Sequence, residues 1–278
     1  MVSVVLEGGT MRAIFSSGVL DGFLENNIEI PYFIGVSGGI HYGINYLSKQ
    51  KGRSLRIVKA LKEYKKPNIA DLLKGKNPYS LDFMFETIPN ELVKFDYDTL
   101  NSYKGVAIAA VTNAKTGEPS YMSLLNQTHK NEVIKATCAV PGLYEPIEIN
   151  NELYFDGGVS DSIPILKSLN DGNDKHIIIL TQPKGFIKEI DFKTKVVCKM
   201  IEKKYPNIAT LLRHRHEVYN LQVQLCEKLE SQGKAIIIRP KGYLKSDETN
   251  LDKLQITYDE GKDFVNDNLV KIKNFILR

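Results

Sequence analysis

Ser37 stands at the centre of Gly35-Val36-Ser37-Gly38-Gly39, a G-x-S-x-G pentapeptide. Pro31-Tyr32-Phe33-Ile34 before it is short and apolar and reads as a buried strand, while residues 40–47 after it read as a helix with an apolar face. Between a strand and a helix, this pentapeptide reads as a nucleophile elbow. The sharp turn strains its central residue and presents the serine Oγ at the tip. Glycines at 35, 38 and 39 remove side chains that would clash with the turn or block a substrate. The helix N-terminus behind Ser37 offers unpaired N–H groups and a positive dipole end to a developing oxyanion.

A serine hydroxyl needs a base to take its proton. Five histidines are present, at 41, 129, 176, 214 and 216. His176 opens a strand pattern, at the edge of a sheet opposite the elbow. His214 and His216 flank Arg215 in a charged helical stretch, and His41 is one turn into the helix after Ser37. The alternative base is a carboxylate. Asp156-Gly157-Gly158 closes an apparent strand, and its two glycines leave the loop open, so that Asp156 within reach of Ser37 Oγ could accept the proton directly.

Gly8-Gly9-Thr10-Met11-Arg12 is the other glycine loop. It does not fit G-x-G-x-x-G, since Thr10 and Ala13 stand where glycines are required. It reads instead as an oxyanion hole, with backbone N–H groups from Gly8, Gly9 and Thr10, together with that of Gly38, aimed at an ester carbonyl oxygen. Arg12 would hold an anionic head group or order the loop.

Two consecutive strand–loop–helix units carry these residues. Residues 3–6 are a strand, 7–12 a loop and 13–24 an amphipathic helix, and 31–47 repeat the layout. This predicts a mainly parallel α/β sheet with a site at the C-terminal ends of its strands. A helix is predicted over 53–64. Residues 65–103, with Pro67, Pro78 and Pro89, predict short helices (80–85, 88–92) and loops, a lid or channel wall. Residues 104–112 and 119–124 predict a hairpin, as do 145–155 around Asn150-Asn151. Helices are predicted over 131–138, 164–169, 209–231 and 257–276, and buried strands over 175–181 and 234–239.

The chain has 278 residues, 42% hydrophobic and 25% charged, which suits one compact α/β unit with an extension. A net charge of +4 permits contact with anionic surfaces and argues against nucleic acid. Three scattered cysteines speak against a disulfide framework and a zinc cluster. No export signal and no spanning run is visible, so the sequence predicts a cytoplasmic protein whose membrane contact is peripheral. No cofactor or metal motif is visible, EF-hand spacing included, which predicts metal-independent activity.

The glycine loop with Arg12, the elbow at Ser37, the segment 136–146 (Ala136-Thr137-Cys138-Ala139-Val140-Pro141-Gly142-Leu143-Tyr144-Glu145-Pro146) and Asp156-Gly157-Gly158, in that order, resemble the patatin-like phospholipase family. The departures are Thr10 and Ala13 in place of glycines, with Thr137 and Tyr144 conservative changes in a segment read as packing. The resemblance covers residues 2–182. It implies a three-layer α/β sandwich with helices on both faces, a Ser37–Asp156 dyad without histidine, and hydrolysis of lipid esters through an acyl-enzyme. Residues 183–278 resemble the helical extension of a bacterial branch, its one strand (234–239) returning to the sheet. Two other readings remain open. One is a Ser-His-Asp carboxylesterase or thioesterase. The other is a lipid-binding regulatory module that meets anionic membranes through Lys193, Lys195, Lys199, Lys203 and Lys204.

Overall fold

Val2–Leu6 forms strand β1, buried along its whole length, in a computed structural model that describes residues 1–63, 80–126 and 129–277. The other strands are β2 (Tyr32–Gly35), β3 (Val106–Asn113), β4 (Pro119–Ser123), β5 (Ile147–Ile149), β6 (Glu152–Asp156), β7 (Lys175–Ile179) and β8 (Ala235–Ile238). They make one mixed sheet in the order β5-β6-β3-β2-β1-β7-β8, with β4 also paired to β3. The block β3-β2-β1-β7-β8 is parallel, whereas β4, β5 and β6 pair antiparallel.

Side-chain alternation explains the layering. Ile177 and Ile179 of β7 join a core with Val4 and Leu6 on one face, while Ile178 and Leu180 join Val5 and Ile237 on the other. A strand buried on both faces needs helices on both. Helices α1 (Ile14–Glu25) and α2 (Gly38–Leu47) cover the first face, and α3 (Arg53–Glu63) and α4 (Tyr97–Ser102) follow in the chain. Short helices α5 (Glu132–Cys138) and α6 (Ile165–Asn170) precede α7 (Phe192–Ile201) and α8 (Pro206–Ser231). Tyr219, Cys226 and Leu229 of α8 pack on the second face. The result is a three-layer α/β architecture.

The chain ends in α9 (Leu251–Asp267) and α10 (Leu269–Leu277), where the sequence predicts one helix over 257–276. The helix starts earlier because the Asn250 side chain accepts the Asp252 and Lys253 N–H groups, capping it. It breaks at Asn268, whose side chain turns back to the Phe264 carbonyl at 2.9 Å. Helix α9 lies tight against α1: a Cβ on Gly18 would stand 1.9 Å from the Tyr258 carbonyl oxygen. The Tyr258 hydroxyl donates to buried Asp21 at 2.5 Å.

Residues 83–92 form one π-helical run rather than two short helices. Pro89 inside it has no N–H to donate, and the Val93 N–H reaches back five residues to the Ile88 carbonyl at 2.7 Å. The stretch 64–79, with Pro67, Pro78 and that part of the predicted lid, lies outside the described residues. No described helix is long and apolar enough to cross a membrane.

Candidate active site

Strand β2 ends at Gly35 and α2 begins at Gly38, so the chain must reverse within two residues. Ser37 absorbs the turn at φ 53°, ψ −128°, a conformation that L side chains rarely adopt. Three bonds hold it there. The Ser37 N–H donates to Thr137 Oγ1 at 2.9 Å, the Gly39 N–H to the Val36 carbonyl at 2.9 Å, and the Ile40 N–H to the Ser37 carbonyl at 2.9 Å. Gly39 is required by contact, since a Cβ there would lie 2.6 Å from the Glu7 carbonyl oxygen. Ser37 keeps part of its surface open to solvent.

The loop after β1 lies over the elbow. A Cβ on Gly38 would come within 2.7 Å of Thr10 N and O, and one on Gly8 would lie 3.1 Å from Ser37 Cβ. The Gly8 and Gly9 N–H groups make no backbone hydrogen bond among the described residues. Gly38 opens α2, so its N–H also has no intrahelical acceptor. Thr10, where the family pattern has glycine, is exposed and sits at φ 51°. A β-branched residue is strained there.

Asp156 arrives from the other side of the sequence. Strand β6 pairs with β3 so that Asp156 stands opposite Val111, while Gly35 stands opposite Ala109, two residues earlier on β3. This register brings the end of the serine's strand and the end of the aspartate's strand together. The Asp156 carboxylate is buried, 5% exposed, accepts the Gly158 N–H at 2.7 Å, and lies near enough to the Ser37 hydroxyl to feel it electrostatically. Gly157 packs on β3, where a Cβ would lie 2.1 Å from the Ala110 carbonyl. Burial raises the Asp156 pKa above the ordinary aspartate value; the nearby Ser37 hydroxyl, the Gly158 N–H bond and the Arg215 charge oppose that rise.

No histidine has this position. His41 is buried on α2 between the rings of Tyr42 and Phe85, with Nε2 unpartnered, and burial lowers its pKa to about 3. His176 bonds Ser3 Oγ (2.8 Å) and Ser168 Oγ (3.1 Å) inside the sheet layer. His129 pairs with Asn90, and His214 is exposed beside Glu217. His216 is half-buried, its Nδ1 unpartnered.

Several residues of the site escape the sequence reading. Thr137 does more than pack: its hydroxyl accepts the Ser37 N–H and donates to the Ala110 carbonyl at 2.6 Å. Glu7 is buried and accepts from the Thr181 N–H at 2.6 Å, and its charge helps to raise the Tyr219 pKa. Arg215 Nε donates to the Gly158 carbonyl. Its signal was present, because it falls on the inward stripe of α8: Ile208, Leu212, Arg215, Tyr219, Gln222, Cys226 and Leu229. An arginine on a buried stripe needs a polar partner. Lys188 lies on an irregular stretch and carries no comparable signal.

Comparison with known proteins gives five similarities. The model of the patatin-like phospholipase family matches residues 4–168. That of a domain of unknown function, DUF6363, matches residues 205–277. The chain is 25% identical to the uncharacterized protein YjjU of Escherichia coli (strain K12), over 82% of this chain and 65% of that protein. It is 24% identical to "Probable lipid hydrolase 463L" of Invertebrate iridescent virus 6, over 63% of this chain and 65% of that protein. Among solved structures it is similar to VipD from Legionella pneumophila, at 14% identity and a TM-score of 0.47, over 94% of this chain and 65% of that one. The chain thus spans 65% of the length of the curated relatives it matches.

Proposed function

The chain belongs to the patatin-like phospholipase family, and from that premise we propose that it is a serine hydrolase of lipid acyl esters, of phospholipase A or lysophospholipase type. The observation that carries the reading is the strained Ser37 at the end of β2, which the β3 register brings beside the buried Asp156 carboxylate at the end of β6.

Asp156 takes the hydroxyl proton as Ser37 Oγ attacks the ester carbonyl. The carbonyl oxygen becomes an oxyanion, held by the N–H groups of Gly8, Gly9, Thr10 and Gly38. The tetrahedral adduct collapses, Asp156 returns the proton to the leaving alcohol, and an acyl-serine remains. A water then gives its proton to Asp156 and attacks the acyl carbonyl; the second adduct collapses to the fatty acid, and Asp156 returns the proton to the departing Ser37 Oγ. The proton count closes at each step with one carboxylate. Glycines 35, 39, 157 and 158 serve as the spacing residues of the two turns.

Residues 2–182 form the catalytic part in this reading and 183–278 the extension. The protein works from the cytoplasmic side, in peripheral contact with an anionic lipid surface. Support comes from α7, where Phe192, Val196 and Met200 recur every four residues and are 78%, 39% and 68% exposed. Lys193, Lys195 and Lys199 flank that apolar line, an arrangement suited to the boundary of a charged bilayer.

The test is covalent labelling with a serine-directed fluorophosphonate, followed by peptide mapping, alongside turnover of phosphatidylglycerol and lysophosphatidylcholine. Label on Ser37, blocked in parallel with turnover and insensitive to chelator, is expected. Full turnover in Ser37→Ala would overturn the reading.

A further inference from the structure

Three cations from three separate elements meet beside the aspartate turn. Arg12 comes from the loop after β1, Lys188 from the stretch before α7, and Arg215 from the inward stripe of α8. Arg215 and Arg12 both act electrostatically on Lys188, and Arg12 acts on Arg215. Arg215 spends its Nε on the Gly158 carbonyl, and its Nη2 lies 3.0 Å from where a Gly158 Cβ would stand. Arg12 Nε is buried with no hydrogen-bond partner. The Lys188 ammonium lies over the rings of Tyr219 (4.5 Å) and Phe186 (5.9 Å).

The neighbouring carboxylates are already engaged. Glu7 accepts the Thr181 N–H at 2.6 Å, Asp191 caps α7 through the Thr194 N–H at 2.7 Å, and Asp156 accepts the Gly158 N–H. Glu7, Asp156 and Asp191 act on Lys188 and Arg215 only from a distance: among the described residues no ion pair within 4.0 Å joins Arg12, Lys188 or Arg215 to a carboxylate, which leaves their donors able to take an anion from outside. The Lys188 pKa falls to about 8, chiefly through burial and then through Arg215, with Glu7 and Asp191 opposing the fall.

We propose that Arg12, Lys188 and Arg215 form a subsite for a phosphate group carried by the same molecule whose ester carbonyl meets Ser37. The inference rests on the dyad reading for its substrate, and it gives the region beyond residue 168 a part in recognition. Gly158 links the two sites: its N–H bonds Asp156 and its carbonyl bonds Arg215. A phosphate offers three acceptor oxygens to two forked guanidiniums and one ammonium.

Isothermal titration of inorganic phosphate into the full chain tests binding without turnover. Lys188→Met keeps the stem on Tyr219 and removes the charge, and Lys188→Arg restores it. Wild type and Lys188→Arg should bind phosphate, and Lys188→Met should bind about tenfold more weakly. The kcat/KM ratio for 1-acylglycerol 3-phosphate over 1-acylglycerol of the same chain should drop about tenfold in Lys188→Met and recover in Lys188→Arg. Equal phosphate binding in all three proteins overturns the subsite. Weakened phosphate binding with an unchanged ratio overturns the substrate assignment, since the anion is then a free one. Fluorophosphonate labelling is read separately. Its absence in wild type would remove the dyad reading while the titration still decides the subsite.

Discussion

Thr137 and Ser37 are joined by a 2.9 Å hydrogen bond, from the strained Ser37 amide to the Thr137 hydroxyl, which itself donates to the Ala110 carbonyl at 2.6 Å. The hydroxyl therefore ties the elbow to β3, the strand against which β6 pairs to place Asp156. Thr137→Val keeps the shape and leaves both the amide and the carbonyl without a partner. It should cost about 1–3 kcal/mol in denaturant unfolding and lower kcat/KM, whereas Thr137→Ser should restore both. Wild-type stability and turnover in the valine variant would show that the bond does not hold the elbow.

Ser37 pays for its exposure with a backbone that glycine would adopt freely. Ser37→Ala removes the nucleophile and keeps the strain, and Ser37→Gly removes both. Both variants should lose turnover by on the order of 10⁴-fold or more. Ser37→Gly should also unfold about 1 kcal/mol later than Ser37→Ala, because positive φ no longer opposes a side chain. Equal stability of the two variants would mean that the turn stores no strain at this residue.

Ser37 and Asp156 were each legible from a local pattern, a strand running into a glycine turn, but the contact between the two turns depends on the antiparallel pairing of β6 to the far end of β3, which no local pattern gives. Both turns report on β3, at Ala109 and Val111. Arg215 was legible in principle, as the polar exception on a buried stripe, but reading it required the inward face of α8 to be known first. Lys188 had no local signature, for its neighbours come from α8 and the first glycine loop. The start of α9 was missed because its cap, Asn250, lies well before the apolar pattern becomes periodic.

The α7 surface can be tested apart from catalysis. Phe192→Glu with Met200→Glu places two carboxylates on the exposed apolar line. Sedimentation with phosphatidylglycerol vesicles should fall at least about tenfold, and added salt should weaken wild-type binding as charges are screened. Unchanged sedimentation would remove α7 as the docking helix.

Two histidine substitutions separate the dyad from a Ser-His-Asp arrangement. His214 is exposed against Glu217, and His216 makes no hydrogen bond through Nδ1. His214→Ala and His216→Ala, made singly, should keep kcat within about threefold of wild type, since a general base contributes about 10²–10⁴-fold. A loss of that size in either variant would move the base from Asp156 to that histidine.

Asp156 sets the pH dependence. Burial lifts its folded-state pKa above the ordinary aspartate value, so the acid limb of kcat/KM should lie above the range of a free aspartate, with activity falling as the carboxylate takes its proton. The sign for stability is the reverse of a salt-bridged aspartate. The folded protein holds this proton more tightly than the unfolded chain, so the contribution favours folding at low pH and is lost as pH rises through the raised pKa. Asp156→Asn keeps an oxygen for the Gly158 N–H and removes the buried charge. At pH 7 it should therefore lose about 10²–10⁴-fold in turnover while unfolding at a higher denaturant concentration than wild type. A variant that loses turnover and also stability at pH 7 would show that the ionised carboxylate stabilises the fold, against the burial argument, and the acid limb would then belong to another group.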